Sequence, residues 1–589
     1  MKRFEKAEIR KVDWALLKRL YSLIRPYRLA FYSTALLACF LALLAPVRPA
    51  LVQLAIDEHV FNKNMEGLIN ISILMALLLV LESVTRYGFI YFTNWVGQNI
   101  VKSLRVRVYK HILALKLRFY DMNPIGALTT RVVNDLESIN NVFSQGLVMI
   151  ISDMMTIVFV LAIMFYYDWQ LAFATLSPLP IMVLSTYLFQ KKVRRASEKV
   201  RAQVSNMNTY LQEHLSGMHL IQIFSRHQSS IREFDDINLK HRSAHIETVW
   251  YYAVFFPVVE ILLACSIGML VWWGGQRILD MEIQLGHLVA YILYVHMLYR
   301  PIRQLADRFG TLQMGIVASD RVFKVLDQKE FIENKGNLMP QNMQGEITFR
   351  DVCFSYDNKT PVLNNVSFNI KSGETLAIVG ETGAGKTTII NALCRFYEIS
   401  SGNIFIDGKD IRELELNEYR KNLGLVLQDV FLFSGSISEN ISMGNTSIGQ
   451  KTIEEAAKAI GADEFIERLP GGYQFNPMER GVSLSMGQRQ LVSFIRAMAF
   501  NPKILILDEA TSSVDSSTEH LVQKAITRLL KDRTSIIIAH RLSTIQHADQ
   551  IIVMSKGSII EQGTHNSLLK KKGEYYSLYE TQFKLQELV

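Results

Sequence analysis

Long, charge-poor apolar runs recur through the first part of this chain and stop near residue 320, and no other feature restricts its fold as strongly. Each is close to the ~20 residues that cross ~30 Å of hydrocarbon. In such a solvent every backbone N–H and C=O needs an internal partner, which a helix supplies to itself. Six spans are expected near 28–54, 67–95, 142–167, 169–190, 249–273 and 284–306, within a transmembrane domain of residues 28–320. Ahead of them Trp14 to Tyr27 is amphipathic and basic, an interfacial elbow closing the segment 1–27 and turning into the bilayer at Pro26. Met1 to Asp13 is too charged for a signal peptide.

Orientation follows from the connections. The links after spans two and four are long and carry Lys102, Arg105, Arg107 and Lys110 in one, Lys191, Lys192, Arg194 and Arg195 in the other. The remaining links are short and poor in base. The positive-inside bias then places the long links and both termini in the cytoplasm of a multi-pass cell-membrane protein. The long links keep helical periodicity, so the spans are expected to continue as helices beyond the lipid. Connectors at their far ends, about Phe119–Gly126 and Tyr210–His219, are either docking elements or plain hairpin tips. The net charge of +8 suits a cytoplasmic membrane face as well as nucleic acid, but no basic tract with interleaved aromatics supports a nucleic-acid partner. Cys39, Cys265, Cys353 and Cys394 lack the spacing of a metal site or disulfide framework.

Several ionisable residues fall inside spans: Arg48, Glu82, Arg86, Asp153, Glu260 and His296. Charge facing lipid is costly, so such groups face a cavity or another helix. Glu82 and Arg86 are spaced to pair along one helix face, which also reads as a structural clamp. Glu260 has no in-helix partner. Glu260, Glu82 and Arg86 are therefore candidates for a translocation path. The Met and aromatic residues of spans three and five, such as Met154, Phe159 and Phe255, suit a small hydrophobic ligand, though packing and lipid contact explain them more simply.

After a linker at 321–344, charged and Asn/Gln-bearing from Asp327 to Gln344, the pattern changes to short strands and helices over 345–589. The apolar run Leu376 to Val379 leads into Gly380, Glu381, Thr382, Gly383, Ala384, Gly385, Lys386 and Thr387, and a helix follows. Strand, glycine-rich turn and helix start make a phosphate cradle: backbone N–H groups turn inward, Lys386 reaches the β- and γ-phosphates, and Thr387 offers a hydroxyl to Mg²⁺. Later apolar runs end at Gln428, at Asp508 and Glu509, and at His540. In a mainly parallel sheet these collect at the strands' carboxyl edge beside the cradle. Asp508 suits Mg²⁺ through its water shell, and Glu509 suits a general base for the attacking water. Ser483 to Gln490 opens an amphipathic helix, a second anion site or a capping sequence.

Together these motifs resemble ABC transporters of the bacterial multidrug-exporter-like half-transporter type, six spans fused ahead of one nucleotide-binding domain. The resemblance covers nearly the whole chain. It implies an all-α membrane domain followed by a soluble α/β P-loop NTPase domain with a helical subdomain, using ATP and Mg²⁺. Gly380–Thr387 is similar to Walker A, with Thr388 adjoining it, and Leu505–Glu509 to the end of Walker B. Gln428 is similar to the Q-loop glutamine, with a share in Mg²⁺ binding, and His540 to the switch histidine. Ser485, Met486, Gly487 and Gln488 resemble the signature motif; Ser513, Val514 and Asp515 resemble the D-loop. Tyr356 corresponds to the aromatic that stacks on adenine, and Glu479–Arg480–Gly481 to a segment touching coupling helices. The family binds two ATP molecules between two subunits, each held by Walker A of one and the signature of the other.

Two departures stand out. Met486 replaces the first glycine of Leu-Ser-Gly-Gly-Gln, and Ser513–Val514 stands where Ala-Leu is common. A Cβ at 486 is expected to restrict the backbone and weaken anion coordination. With the other motifs intact, this resembles one half of a heterodimeric exporter; a homodimer tolerating Met486 is the other reading. The expected activity is ATP-driven export of hydrophobic or amphipathic compounds from membrane lipid. A lipid or peptide exporter and a nucleotide-gated regulatory module are the alternatives, the intact Glu509 and His540 favouring turnover over gating.

Overall fold

The computed structural model describes residues 14–583 apart from 333, 335, 341, 358, 509–515 and 539–544. It divides into two units: one holds the chain up to Leu113 with Asn123–Gln328, the other Ala114–Met122 with Lys329 onward.

The first unit is entirely helical among its described residues. Five helical stretches are long and apolar enough to cross a membrane: Lys18–Val60, Met65–Ala114, Ile125–Tyr167, Trp169–Ser216 and His227–Leu279. The sixth expected span coincides with the helix Leu285–Leu326, which continues past residue 320. It is less apolar because protein, rather than lipid, covers it: Ala290, Tyr291, Tyr294, Val295 and Leu298 are buried, and the Tyr294 hydroxyl donates to Pro46 O at 3.0 Å. Asp57 Oδ1 accepts from Gly286 N at 2.7 Å, capping this helix from the end of the first span. A Cβ at Gly286 would lie 2.6 Å from that carboxylate, so any larger residue there would displace the cap.

The long links do run on as helix. Met65–Ala114 has 50 residues, Leu179–Ser216 has 38 and His227–Leu279 has 53. The second far turn falls at Gly217 to Arg226 around a short helix, Met218–Ile223, later than the periodicity suggested. Between Pro180, in the helix's first turn, and Gly217 there is neither glycine nor proline, so the helix continues to Gly217. The elbow helix Trp14–Ile24 is tied by Arg19, which donates to both Asp327 oxygens at 2.6 and 2.7 Å and lies over the Phe323 ring.

The second unit holds two sheets. β1 (Ile347–Phe354), β2 (Leu363–Ile370), β4 (Ser401–Ile406) and β5 (Lys409–Asp410) form an antiparallel sheet in the order β2-β1-β4-β5. β3 (Thr375–Gly380), β6 (Leu423–Val426), β7 (Ile504–Asp508), β8 (Thr534–Ile538), β9 (Gln550–Ser555) and β10 (Ser558–Gly563) form a second, ordered β10-β9-β3-β8-β7-β6. All its pairings are parallel except β9 with β10. Its inner strands are continuous apolar runs because both faces are covered. Ala377, Val379, Leu505, Leu507 and Ile537 face one core with the helices Gln450–Ile460 and Met486–Phe500. Leu376, Ile378, Ile504, Ile506, Ile536 and Ile538 face the other, with the antiparallel sheet and the helix Lys386–Leu393. Each fully buried side chain of this kind contributes roughly 1.5–3 kcal/mol.

Candidate functional site

The parallel order places the carboxyl ends of β3, β8, β7 and β6 along one edge. Gly380 ends β3, Asp508 ends β7, and Gln428, exposed, follows β6. Glu509, Asp515 and His540 lie outside the described residues, as do Ser513 and Val514.

The turn after β3 has the geometry its glycines permit. Gly380, Gly383 and Gly385 all take positive φ, at 146°, 85° and 102°. A Cβ on Gly380 would stand 2.3 Å from Met554 O, and one on Gly385 3.0 Å from Leu363 Cδ2. The helix Lys386–Leu393 opens from Gly385 with no side-chain cap, so its first N–H groups are left for a ligand. Lys386 is buried, and its Nζ donates to Gly380 O at 2.6 Å and Glu381 O at 2.9 Å. Burial holds its ammonium below the ordinary value, the Asp508 charge opposing. Glu381, Thr382 and the Thr387 side chain are exposed, while Ala384 is buried. A desolvated ammonium at a bare helix N-terminus, with the Asp508 carboxylate at the end of β7, beyond β8 in the same sheet, is a donor set that fits a triphosphate and a hard cation.

Tyr356 follows β1 and is 37% exposed. Its hydroxyl lies 3.3 Å from Thr388 Oγ1 and accepts from Asn391 Nδ2 at 3.1 Å. Tyr397 meets its ring edge-on at 5.0 Å. The next residue, Asp357, pins the turn: its carboxylate accepts from the backbone N–H groups of Thr360 and Lys359, which hold its pKa down at about 2. The Tyr397 hydroxyl in turn donates to Asp121. Asp121 belongs to Ala114–Met122, where Phe119 is buried and Lys116 N donates to Glu330 O at 2.9 Å. Nothing in the sequence singles out Tyr397, and Asp121 lies unmarked within the connector Phe119–Gly126. Only the proposed docking role of the first far connector pointed toward them.

The signature-like stretch opens the helix Met486–Phe500. Ser485 caps it: Gln488 N donates to Ser485 Oγ at 3.2 Å, and Ser485 N donates to Gln488 Oε1 at 2.9 Å. Met486 occupies the first helical position, and its φ is not positive. The expected backbone restriction at 486 therefore does not arise, because any L-residue adopts a helical φ. What Met486 brings is bulk. Its side chain lines a cavity of about 220 Å³ with Gln428, Asp429, Arg480 and Arg489. Gly487 is buried below it. Arg480 and Gly481 both take positive φ, and Arg489 Nη1 donates to Gly481 O at 3.2 Å.

In the membrane unit, Arg86 Nη2 donates to Glu82 Oε1 at 2.9 Å, and Arg48 joins them from the first span. Asp153 pairs with Arg308 at 2.9 Å. Glu260 and His296 are exposed and do not join the Glu82 cluster.

Residues 32–302 match the family described as ABC transporter transmembrane region, and residues 363–512 match the family described as ABC transporter. The chain belongs to the ABC transporter family. It is 38% identical over 576 residues to an uncharacterised ABC transporter ATP-binding protein of Bacillus subtilis, YknV, covering 97% of this chain and 95% of that one. It is 35% identical to the ATP-dependent lipid A-core flippase of Syntrophus aciditrophicus, covering 97% and 95%. A putative multidrug export ATP-binding/permease protein of Bacillus subtilis, YgaD, is 34% identical, covering 96% and 99%. The protein is thus a membrane-embedded half-transporter that binds ATP, couples its hydrolysis to export and acts as a dimer.

Proposed function

We propose that this chain is one half of a heterodimeric exporter of hydrophobic or amphipathic compounds in the cell membrane, with its nucleotide-binding domain and both termini cytoplasmic. Gly380–Thr388 cradles the phosphates, Tyr356 stacks on adenine, and Thr387, Gln428 and Asp508 would hold Mg²⁺, which would supply charge neutralisation for the triphosphate. Glu509 accepts the proton of the attacking water, and His540 contacts the γ-phosphate region. Ser485, Gly487 and Gln488, with Asp515, face the partner's nucleotide, and the bulk of Met486 slows that second site. Glu260, Glu82 and Arg86 lie along the substrate route.

The observation that carries this reading is the combination of an uncapped helix N-terminus at Gly385 with a buried Lys386 in a chain whose other unit is built of membrane-length helices. Relatives named for multidrug export and for lipid A-core flipping support an amphipathic cargo. Glu509→Gln is expected to lower turnover by about 10²-fold or more while ATP binding persists. ATP-driven uptake of an amphipathic dye into inside-out vesicles tests export. A chain purified alone that forms a fully active transporting dimer would rule out the heterodimer.

A further inference from the structure

The Tyr356 ring is tied at its hydroxyl end to the helix that opens from the phosphate cradle. Asn391 Nδ2 donates to that hydroxyl at 3.1 Å, and Thr388 Oγ1 stands 3.3 Å from it. With Asn391 donating, the hydroxyl's own proton is left for Thr388. Both partners belong to the helix Lys386–Leu393, three residues apart and so on one face. Phe354 and Tyr397 stand nearly perpendicular to the ring, their centroids 4.7 and 5.0 Å away. The backbone beside it is pinned by the Asp357 turn.

Burial does not force the hydroxyl bonds. Tyr356 is partly exposed, so water would satisfy its hydroxyl without help from Asn391. The helix does not need Asn391 either, because asparagine is a weak former in a helix interior. What the bonds supply is a fixed relation between two places. The helix that holds the hydroxyl starts at Lys386, whose ammonium lies in the cradle. Thr388 and Asn391 follow about 3 and 8 Å along the axis. One rigid element thus sets both the phosphate end and the base end of the site.

We propose that Asn391 is a positioning residue for nucleotide binding: with Thr388 it holds the Tyr356 hydroxyl, and so fixes the ring at the distance from Lys386 that a nucleoside triphosphate spans. A ligand with both a base and a triphosphate meets two ends already set, and less freedom is lost when it binds. A bare triphosphate gains nothing from the tie. This rests on the reading of Tyr356 as the adenine partner, and adds what joins base and phosphate into one site.

The test measures ATP hydrolysis by the assembled transporter in liposomes, with inorganic triphosphate as competitor. Asn391→Leu is expected to raise KM for ATP about fivefold while kcat stays within about twofold. Tyr356→Phe, which keeps the ring, raises KM at least as much. The double variant is no worse than Tyr356→Phe alone, which already lacks the accepting hydroxyl. The inhibition constant of inorganic triphosphate is unchanged in all three. A parallel rise in that constant would make Asn391 a support of the helix only, and an unchanged KM or multiplying effects would show no shared tie; each result overturns the proposal. If Asn391→Leu does not assemble, Tyr356→Phe decides by the same two constants, since it leaves the helix untouched. Tyr356→Ala separates the two ideas. Weaker ATP binding in it, without any change in Asn391→Leu or Tyr356→Phe, defeats only the positioning role; an unchanged KM in it defeats the stacking reading as well.

Discussion

Two helices of the nucleotide-binding unit begin at sequences that read as anion sites, and they treat their free N–H groups in opposite ways. The helix after Gly385 has no side-chain cap and depends on a ligand to satisfy its N-terminus. The helix after Ser485 satisfies itself through a reciprocal box with Gln488. The first offers its leading N–H groups to an anion, with a buried ammonium beside it. The second already has its Gln488 N–H held by the Ser485 side chain, so a phosphate there shares its N-terminus with a cap.

The comparison can be broken at several points. Lys386→Ala is expected to have the largest effect, removing nucleotide affinity and lowering turnover by on the order of 10²-fold, as read by fluorescent-nucleotide titration and phosphate release. Gly385→Ala forces φ of 102° on an L-residue against Leu363, at about 1–3 kcal/mol, and should weaken ATP binding about tenfold or more. Ser485→Ala removes one half of the capping box, at about 1 kcal/mol. Its melting temperature should fall slightly while ATP affinity at the Lys386 site stays unchanged. If Ser485→Ala weakens that affinity as much as Gly385→Ala, the two helix starts are not distinct.

The smallest effect concerns pH. The folded pKa of Asp357 is lowered to about 2, so the turn beside Tyr356 gains from its carboxylate above the usual ~4 and loses that gain as pH falls through about 2. Amide protection at Lys359 and Thr360, measured against the unfolded-chain rate at each pH, should fall over that window and stay level above it. Asp357→Asn should remove the dependence.

The cradle was legible because its signal is local. An apolar strand, three glycines and a lysine within a dozen residues leave few other conformations, and the structure shows that turn. The contacts of Tyr356 were not legible: Thr388, Tyr397 and Asp121 reach it or its neighbour from three separate segments, and no spacing rule links them. The Glu82 cluster was half legible. Its i,i+4 partner follows from helix geometry, whereas Arg48 comes from a different span. Met486 shows the reverse failure, since a glycine-to-methionine change suggested backbone strain where the position needs only a helical φ.

The 53-residue helix His227–Leu279 rises about 80 Å, more than twice the hydrocarbon thickness. Pivoting such a rod by about 5° sweeps its tip through roughly 7 Å, with no hydrogen bond along it needing to break. Small angular adjustments near one end thus arrive at the other as displacements the size of a side chain.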